Sequence, residues 1–360
     1  MLGKNITAEQ FRHTLDLLSD PNAGYTAEAI YSLTDLMGER LEAFAALWPT
    51  LPEPRRLSII NWLVETGETN FEFDFGPIIR LALSDSAMDV RLAAIDGAHE
   101  DSSIAVINRL NEMARSDPFT EVRAAAAGAL GMFILRGELG QLPETVSARL
   151  QETALMLYND LDEDLEVRRR ALEAIANCGR EGVLDMIREA YYADDLLMRV
   201  SAVFAMGRTY DEMWTAQVLD ELSSDYPEMR YEACRAAGEL ELRKAVGRLS
   251  ELAYDDDREV QEMAIWALGE IGGKSARNIL SQLAALAAEA DDDELVDAIA
   301  EAQSAATLAG EDLLPLFDFS EYDGDLDDEE FASLESYDGF GDDEEDEDDE
   351  ALLDEDDYVF

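Results

Sequence analysis

Val260-Gln261-Glu262-Met263-Ala264-Ile265-Trp266-Ala267-Leu268-Gly269-Glu270-Ile271-Gly272 is the stretch from which the rest of the chain can be read. Counted from Val260, small or apolar residues fall at +4, +7, +8 and +11: Ala264, Ala267, Leu268 and Ile271. That spacing is one face of an α-helix. The same opening recurs upstream as Asp89-Val90-Arg91-Leu92-Ala93-Ala94, Glu121-Val122-Arg123-Ala124-Ala125-Ala126 and Glu166-Val167-Arg168-Arg169-Arg170-Ala171. Looser copies are Leu197-Met198-Arg199 with Ala202, and Glu228-Met229-Arg230 with Ala233. The apolar anchors Val90, Val122, Val167, Met198, Met229 and Val260 are spaced by 32, 45, 31, 31 and 31 residues. A period in this range marks a solenoid. Gly stands at +9 in four copies, as Gly131, Gly207, Gly238 and Gly269. With the +4 alanines, these glycines suit close approach of neighbouring helices.

Between anchors lies a second amphipathic stretch, as in Val183 to Tyr191, Trp214 to Leu222, Ala245 to Ala253 and Ala276 to Ala287. The unit is therefore two antiparallel helices, and strand-type alternation is missing. Asp-rich turns, such as Asp117-Pro118, Asp194-Asp195 and Asp255-Asp256-Asp257, supply N-caps for the helices that follow them. The expected fold is all-α: a right-handed α-solenoid of about nine helix pairs.

Over roughly residues 75–305 the pattern resembles the HEAT-repeat family, in particular the short PBS-lyase HEAT-like subtype. The resemblance implies that the Arg after the anchor packs in a ladder against acids of neighbouring turns. Arg91, Arg123, Arg168, Arg199 and Arg230 hold that position, so their expected role is structural. Gln261 and Val296 depart from the pattern, which suggests that the ladder ends before the C-terminal cap. The N-terminal 75 residues read as degenerate capping copies, with helices over Ala8 to Leu18, Thr26 to Met37, Arg40 to Trp48 and Arg55 to Glu65. The long 45-residue spacing contains Arg136 to Pro143, a Gly- and Pro-bearing insertion expected to project as a loop. The expected domains are 1–75, the cap; 76–310, the repeats; and 311–360, a tail.

Charge narrows the function. Asp and Glu number 82 against 27 Lys and Arg, a net of −55. Residues 311–360 hold 25 of the acids and no base, with nine consecutive acids from Asp342 to Glu350. Such a segment buries nothing and is expected to be disordered. Its scattered aromatic and leucine residues fit either a solubilising tail or an interaction segment. Acidity with three lysines against 24 arginines also fits adaptation to a saline or high-GC source. Nucleic-acid coating and binding to an anionic membrane both need clustered cations, so both are excluded as partners. The longest uncharged run, Ala124 to Leu135, has 12 residues, too short to span a bilayer. No signal peptide is evident, and the expected location is the cytoplasm.

Catalytic signatures are weak. His13 and His99 are the two histidines. Some HEAT-like proteins, the deoxyhypusine hydroxylases, carry several His-Glu pairs early in such helices. Here those positions are Leu92-Ala93, Ala124-Ala125, Arg169-Arg170 and Val200-Ser201, which cannot bind metal. Neither a cofactor nor an enzymatic activity is expected. Cys178 and Cys234, 56 residues apart, read as small core residues. Tyr191, Tyr192, Trp214, Tyr226 and Trp266 would be the aromatics of a bilin groove, if the chain were a phycobilin lyase or a bilin-binding protein. A different set lies on the second-helix face, at +2 and +6: Phe204, Tyr231, Arg235 and Trp266. Exposed aromatics on a rigid face anchor protein partners. The favoured expectation is a monomeric scaffold or adaptor binding a protein with a basic surface. A chaperone or nucleic-acid-mimicking inhibitor of a basic client is the alternative.

Overall fold

Side-chain caps begin the helices where the sequence places Ser, Thr and Asp. Thr7, Thr26, Ser103, Asp164, Asp195 and Asp257 each accept an N–H from the first turn that follows. The computed structural model describes residues 6–70, 72–99, 101–290 and 292–308. Among them are eighteen α-helices and no strand. The first four helices are α1 (Ala8–Ser19), α2 (Ala27–Leu33), α3 (Gly38–Leu47) and α4 (Glu53–Thr69). Then come α5 (Gly76–Ala82), α6 (Met88–Asp96), α7 (Ile104–Ser116), α8 (Thr120–Glu138), α9 (Glu144–Asn159) and α10 (Leu165–Ile175). The chain continues with α11 (Val183–Tyr191), α12 (Leu196–Arg208), α13 (Thr215–Glu221) and α14 (Pro227–Glu239). It ends with α15 (Val246–Leu252), α16 (Arg258–Ile271), α17 (Gly273–Glu289) and α18 (Asp293–Leu308).

The second helix of each pair packs on the second helix of the next, from α4 through α6, α8, α10, α12, α14 and α16 to α18. That chain of neighbours makes the molecule an all-α solenoid. The anchors Val90, Val122, Val167, Met229 and Val260 are all buried, with Met198, in one continuous core. The boundary expected at 75/76 falls just before α5, and α4 packs against α6 across it. The expected acidic tail, 311–360, lies outside the described residues.

The +9 glycines sit where successive second helices touch. A Cβ on Gly131, Gly207 or Gly238 would lie 3.1, 2.9 or 3.0 Å from the Cα of Ala174, Ala236 or Ala267. Each of those alanines is the +7 residue of the following copy, so glycine and alanine set the helix spacing together. Gly207→Ala is therefore expected to cost about 1–3 kcal/mol through overpacking. Gly247, on α15, faces open space. Gly247→Ala should instead gain up to about 1 kcal/mol from helix propensity. Urea unfolding of the two variants checks the opposite signs.

The expected loop over 136–143 is a correction. The chain stays helical through Glu138, and α8 and α9 run to 19 and 16 residues. The extra length of the 45-residue period lies in longer helices. Gly137 permits this, since its missing side chain leaves room for Ser147 of α9, which a Cβ would strike at 2.2 Å. The link that remains is Leu139 to Pro143.

Candidate functional site

The turn between the helices of a pair carries the ladder. Arg91 donates to both oxygens of Asp117, at 2.9 and 2.8 Å, and to the Asp85 carbonyl at 2.9 Å. Arg123 spans Glu163 at 3.0 and 2.8 Å and the Asp117 carbonyl at 2.9 Å. Arg230 spans Asp255 at 2.8 and 2.7 Å and the Ser224 carbonyl at 3.0 Å. Each arginine thus ties the carbonyl of its own turn, six residues back, to the carboxylate of the next turn. The acceptor aspartates are themselves fixed: Asp117 and Asp255 each accept the backbone N–H two residues on, at 3.1 and 3.0 Å. Arg199 reaches Glu221 more loosely, at 3.6 Å, and Tyr191 donates to that same carboxylate oxygen at 2.8 Å. Arg168 bonds to the Tyr158 carbonyl at 3.0 Å and lies over the Tyr158 ring, and makes no ion pair with the next turn, whose Asp194 and Asp195 face solvent.

The ladder extends at both ends beyond the five arginines read from sequence. Arg56 grips Asp85 at 2.8 and 2.9 Å, and the Trp48 indole N–H donates to Asp85 at 2.7 Å. At the other end Gln261 donates to the Ala253 carbonyl and accepts from Arg258, and Arg258 spans Asp292 at 2.8 and 3.1 Å. The bridging therefore continues through α16, from a position three residues earlier. The signal that finds the partners is an Asp five residues before the next anchor. Asp85, Asp117 and Asp255 occupy it and hold a bidentate arginine; Asp162 occupies it too, but there Arg123 grips the neighbouring Glu163. Ala193 and Ser224 occupy it where Arg168 and Arg199 lack a tight acid. Ala193→Asp should give Arg168 a partner and add about 0.5–1 kcal/mol, read as a rise in the urea midpoint.

Behind this ladder, the second-helix face is closed upon itself over much of its length. Ser201 donates to Glu173 at 2.6 Å and accepts from Arg169 at 3.0 Å; Arg170 bridges Glu166 and Glu173 at 2.9 and 2.7 Å. Arg235 bonds Glu232 at 2.7 Å, pairs with Glu239, donates to the Phe204 carbonyl, and lies 3.9 Å above the Phe204 ring. Phe204, Arg235 and Tyr231 are half-buried. Trp266 packs over Gly238 and keeps 36% of its surface open. The structure thus brings Phe204 and Arg235 into direct contact, and leaves Trp266 the most open of the three aromatics.

Residues 215–304 match the HEAT repeats family. No curated protein matches the sequence. Among solved structures, the chain is similar to Escherichia coli YibA, at 18% identity, with 84% of this chain and 94% of that one covered and a TM-score of 0.36. Human deoxyhypusine hydroxylase in complex with glycerol matches at 16% identity over 85% and 99%, with a TM-score of 0.33. Importin beta matches at 12% identity over 88% of this chain and 48% of its own, with a TM-score of 0.41.

The HEAT segment, α13 to α18 in the main, contains Arg230, Tyr231, Arg235 and Trp266. The aromatics of the expected bilin groove do not share one surface. Trp214 is buried at 1% exposure, Tyr192 and Tyr226 stand in turns, and Trp266 lies on the second-helix face. His13 is on α1 and His99 follows α6. Among the described residues no group of three or more His, Cys, Asp or Glu is placed to hold a metal ion. Cys178 and Cys234 are buried free thiols, and burial pushes Cys234 up to about 12. A cavity of about 390 Å³ between α4, α5 and α6 has Leu63, Val64 and Ile79 in its wall and the Arg80–Asp101 ion pair at its rim. No helix among the described residues is long and apolar enough to cross a membrane.

The ladder carboxylates give the fold an acid limit. The bonded arginine holds Glu163 and Asp255 below the usual carboxylate range, against the opposing effect of burial. At Asp85 burial pulls upward but is outweighed by Arg56, the Ala87 N–H and Trp48. All three bind a proton less readily folded than unfolded. Their stabilisation is complete above the ordinary carboxylate range and is lost as pH falls through the lowered folded values. Burial raises Glu232, and its contribution has the opposite sign. Asp101 and Asp292 are lowered as well and Asp96 is raised, so with five lowered carboxylates against two the thermal midpoint should fall as pH drops below about 4. Asp255→Asn should flatten that slope.

Proposed function

We propose that the chain is a non-enzymatic scaffold or adaptor that binds another protein, one with a basic surface. Residues 76–310 act as the binding array and 1–75 as its cap, and Phe204, Tyr231, Arg235 and Trp266 contribute the contact face. One observation carries the reading: the arginines of that face are already spent on neighbouring carboxylates. Arg169, Arg170, Arg235 and Arg258 all make ion pairs within the face. What a partner meets is therefore the acid excess, together with the half-open Trp266 indole. Such a surface attracts cations over a distance and holds an apolar contact once water is displaced. The test is a pull-down at low and high salt, followed by mass spectrometry. Proteins released by high salt should be enriched in Lys- and Arg-rich surfaces. A captured set without that bias, indifferent to salt, would overturn the reading.

A further inference from the structure

Exposed apolar side chains gather in one kind of turn. Where the first helix of a pair hands over to the second, five successive pairs present Phe119, Leu161, Tyr192, Tyr226 and Tyr254, exposed by 44, 79, 72, 49 and 58%. The last three are tyrosines, and acids flank each of them: Asp194 and Asp195, Asp225, and Asp256 are all exposed. Segments 191–198, 223–229 and 253–257 contain no Lys or Arg. The ladder arginines beside them point back into the turns: Arg230, for example, is held by Asp255, next to Tyr254. Tyr192 stands edge-on against Tyr191, with ring centroids 5.0 Å apart, and Tyr191 is bonded to Glu221. Tyr226 is followed by Pro227, which fixes the backbone at the start of α14. Contact with Tyr191 thus sets the Tyr192 ring in place before any partner arrives, which lowers the ordering cost of binding there.

We propose that Tyr192, Tyr226 and Tyr254, with their flanking carboxylates, form a docking ridge for an extended, arginine-bearing segment of a partner protein. The proposal rests on the basic-partner reading and adds a second surface to it. The occupant follows from charge complementarity: an open tyrosine ring beside a carboxylate takes a guanidinium, which stacks on the ring and pairs with the acid. Spacing sets the register. Packed helices lie about 8–10 Å apart, so successive turns recur at about that interval. A polyproline II segment has three residues per turn and advances about 3.1 Å per residue, so arginines three residues apart share one face and meet successive turns.

The test is fluorescence anisotropy with the full chain and two labelled synthetic peptides of equal composition. One carries Arg at every third residue, the other the same arginines in a single block. The spaced peptide should bind the more tightly. The triple variant Tyr192→Ala, Tyr226→Ala, Tyr254→Ala should weaken it by about 10- to 100-fold, the product of three ring contacts. These side chains are exposed and the variant keeps every carboxylate, so lost binding with unchanged helicity isolates the rings from the −55 charge. Leu139→Ala, at an exposed side chain outside both the ridge and the contact face, should leave peptide affinity within about twofold. If the spaced peptide binds but the triple variant holds it equally well, the ridge is overturned and the basic-partner reading stands. If neither peptide binds the wild-type chain, both are overturned.

Discussion

Arg91→Ala is expected to cost about 3–5 kcal/mol, the penalty for removing one member of a buried ion pair. Arg91 and Asp117 are 5% and 8% exposed, so water cannot replace the lost bonds. The substitution strands the Asp117 carboxylate and also frees the Asp85 carbonyl, which Arg91 holds at 2.9 Å. Arg91→Lys should recover part of the loss, because a single ammonium cannot reproduce the two-point grip on Asp117. Arg168→Ala is the matched control. It removes one bond to a carbonyl and strands no acid, so about 1 kcal/mol is expected. Solenoid stability is a sum over neighbouring units, so the damage at Arg91 should be local. Hydrogen exchange should accelerate in α6, α7 and α8 well before α14 or α16 responds. Equal losses for Arg91→Ala and Arg168→Ala would mean that the carboxylate is not what makes the ladder strong.

The helix pairs were legible because their signals are local. An anchor, small residues at +4 and +9 and an Asp-rich turn all lie within one helix and its cap. The ladder was half legible. Its arginines sit beside their anchors, but each partner is 25 to 40 residues away and was not fixed by the arginine's own neighbourhood. Only the position five residues before the next anchor, read across copies, explains why Arg168 lacks an acid. The loop expected over 136–143 failed for a related reason: Gly137 reads as a helix breaker until Ser147 is seen to fill the space beside it. The contact face was least legible. Helical spacing puts Phe204, Tyr231 and Trp266 on one side, but it cannot show that Arg235 covers Phe204 or that the widest-open rings stand in the turns.

Trp266→Ala and added salt should act on different halves of the binding kinetics. The partner returned by the pull-down is the analyte, and surface plasmon resonance gives both rates. Raising salt from about 0.05 to 0.5 M shortens the screening length from roughly 14 to 4 Å. Association should then slow strongly, because the acid excess works by steering before contact. Dissociation should change less, since contacts already formed are shielded from mobile ions. Trp266→Ala should leave association nearly unchanged. It should speed dissociation by roughly 30-fold, equivalent to about 2 kcal/mol, if the indole is an anchor. The protein should stay folded, because Trp266 already gives 36% of its surface to solvent and the pocket over Gly238 is partly open. Removal of the Phe204 ring should matter less for binding and more for folding, since Arg235 occupies its face at 3.9 Å. A folded Trp266→Ala protein with wild-type dissociation would place the partner elsewhere on the solenoid. Association indifferent to salt would make the −55 charge an adaptation to the source environment, with no bearing on the partner.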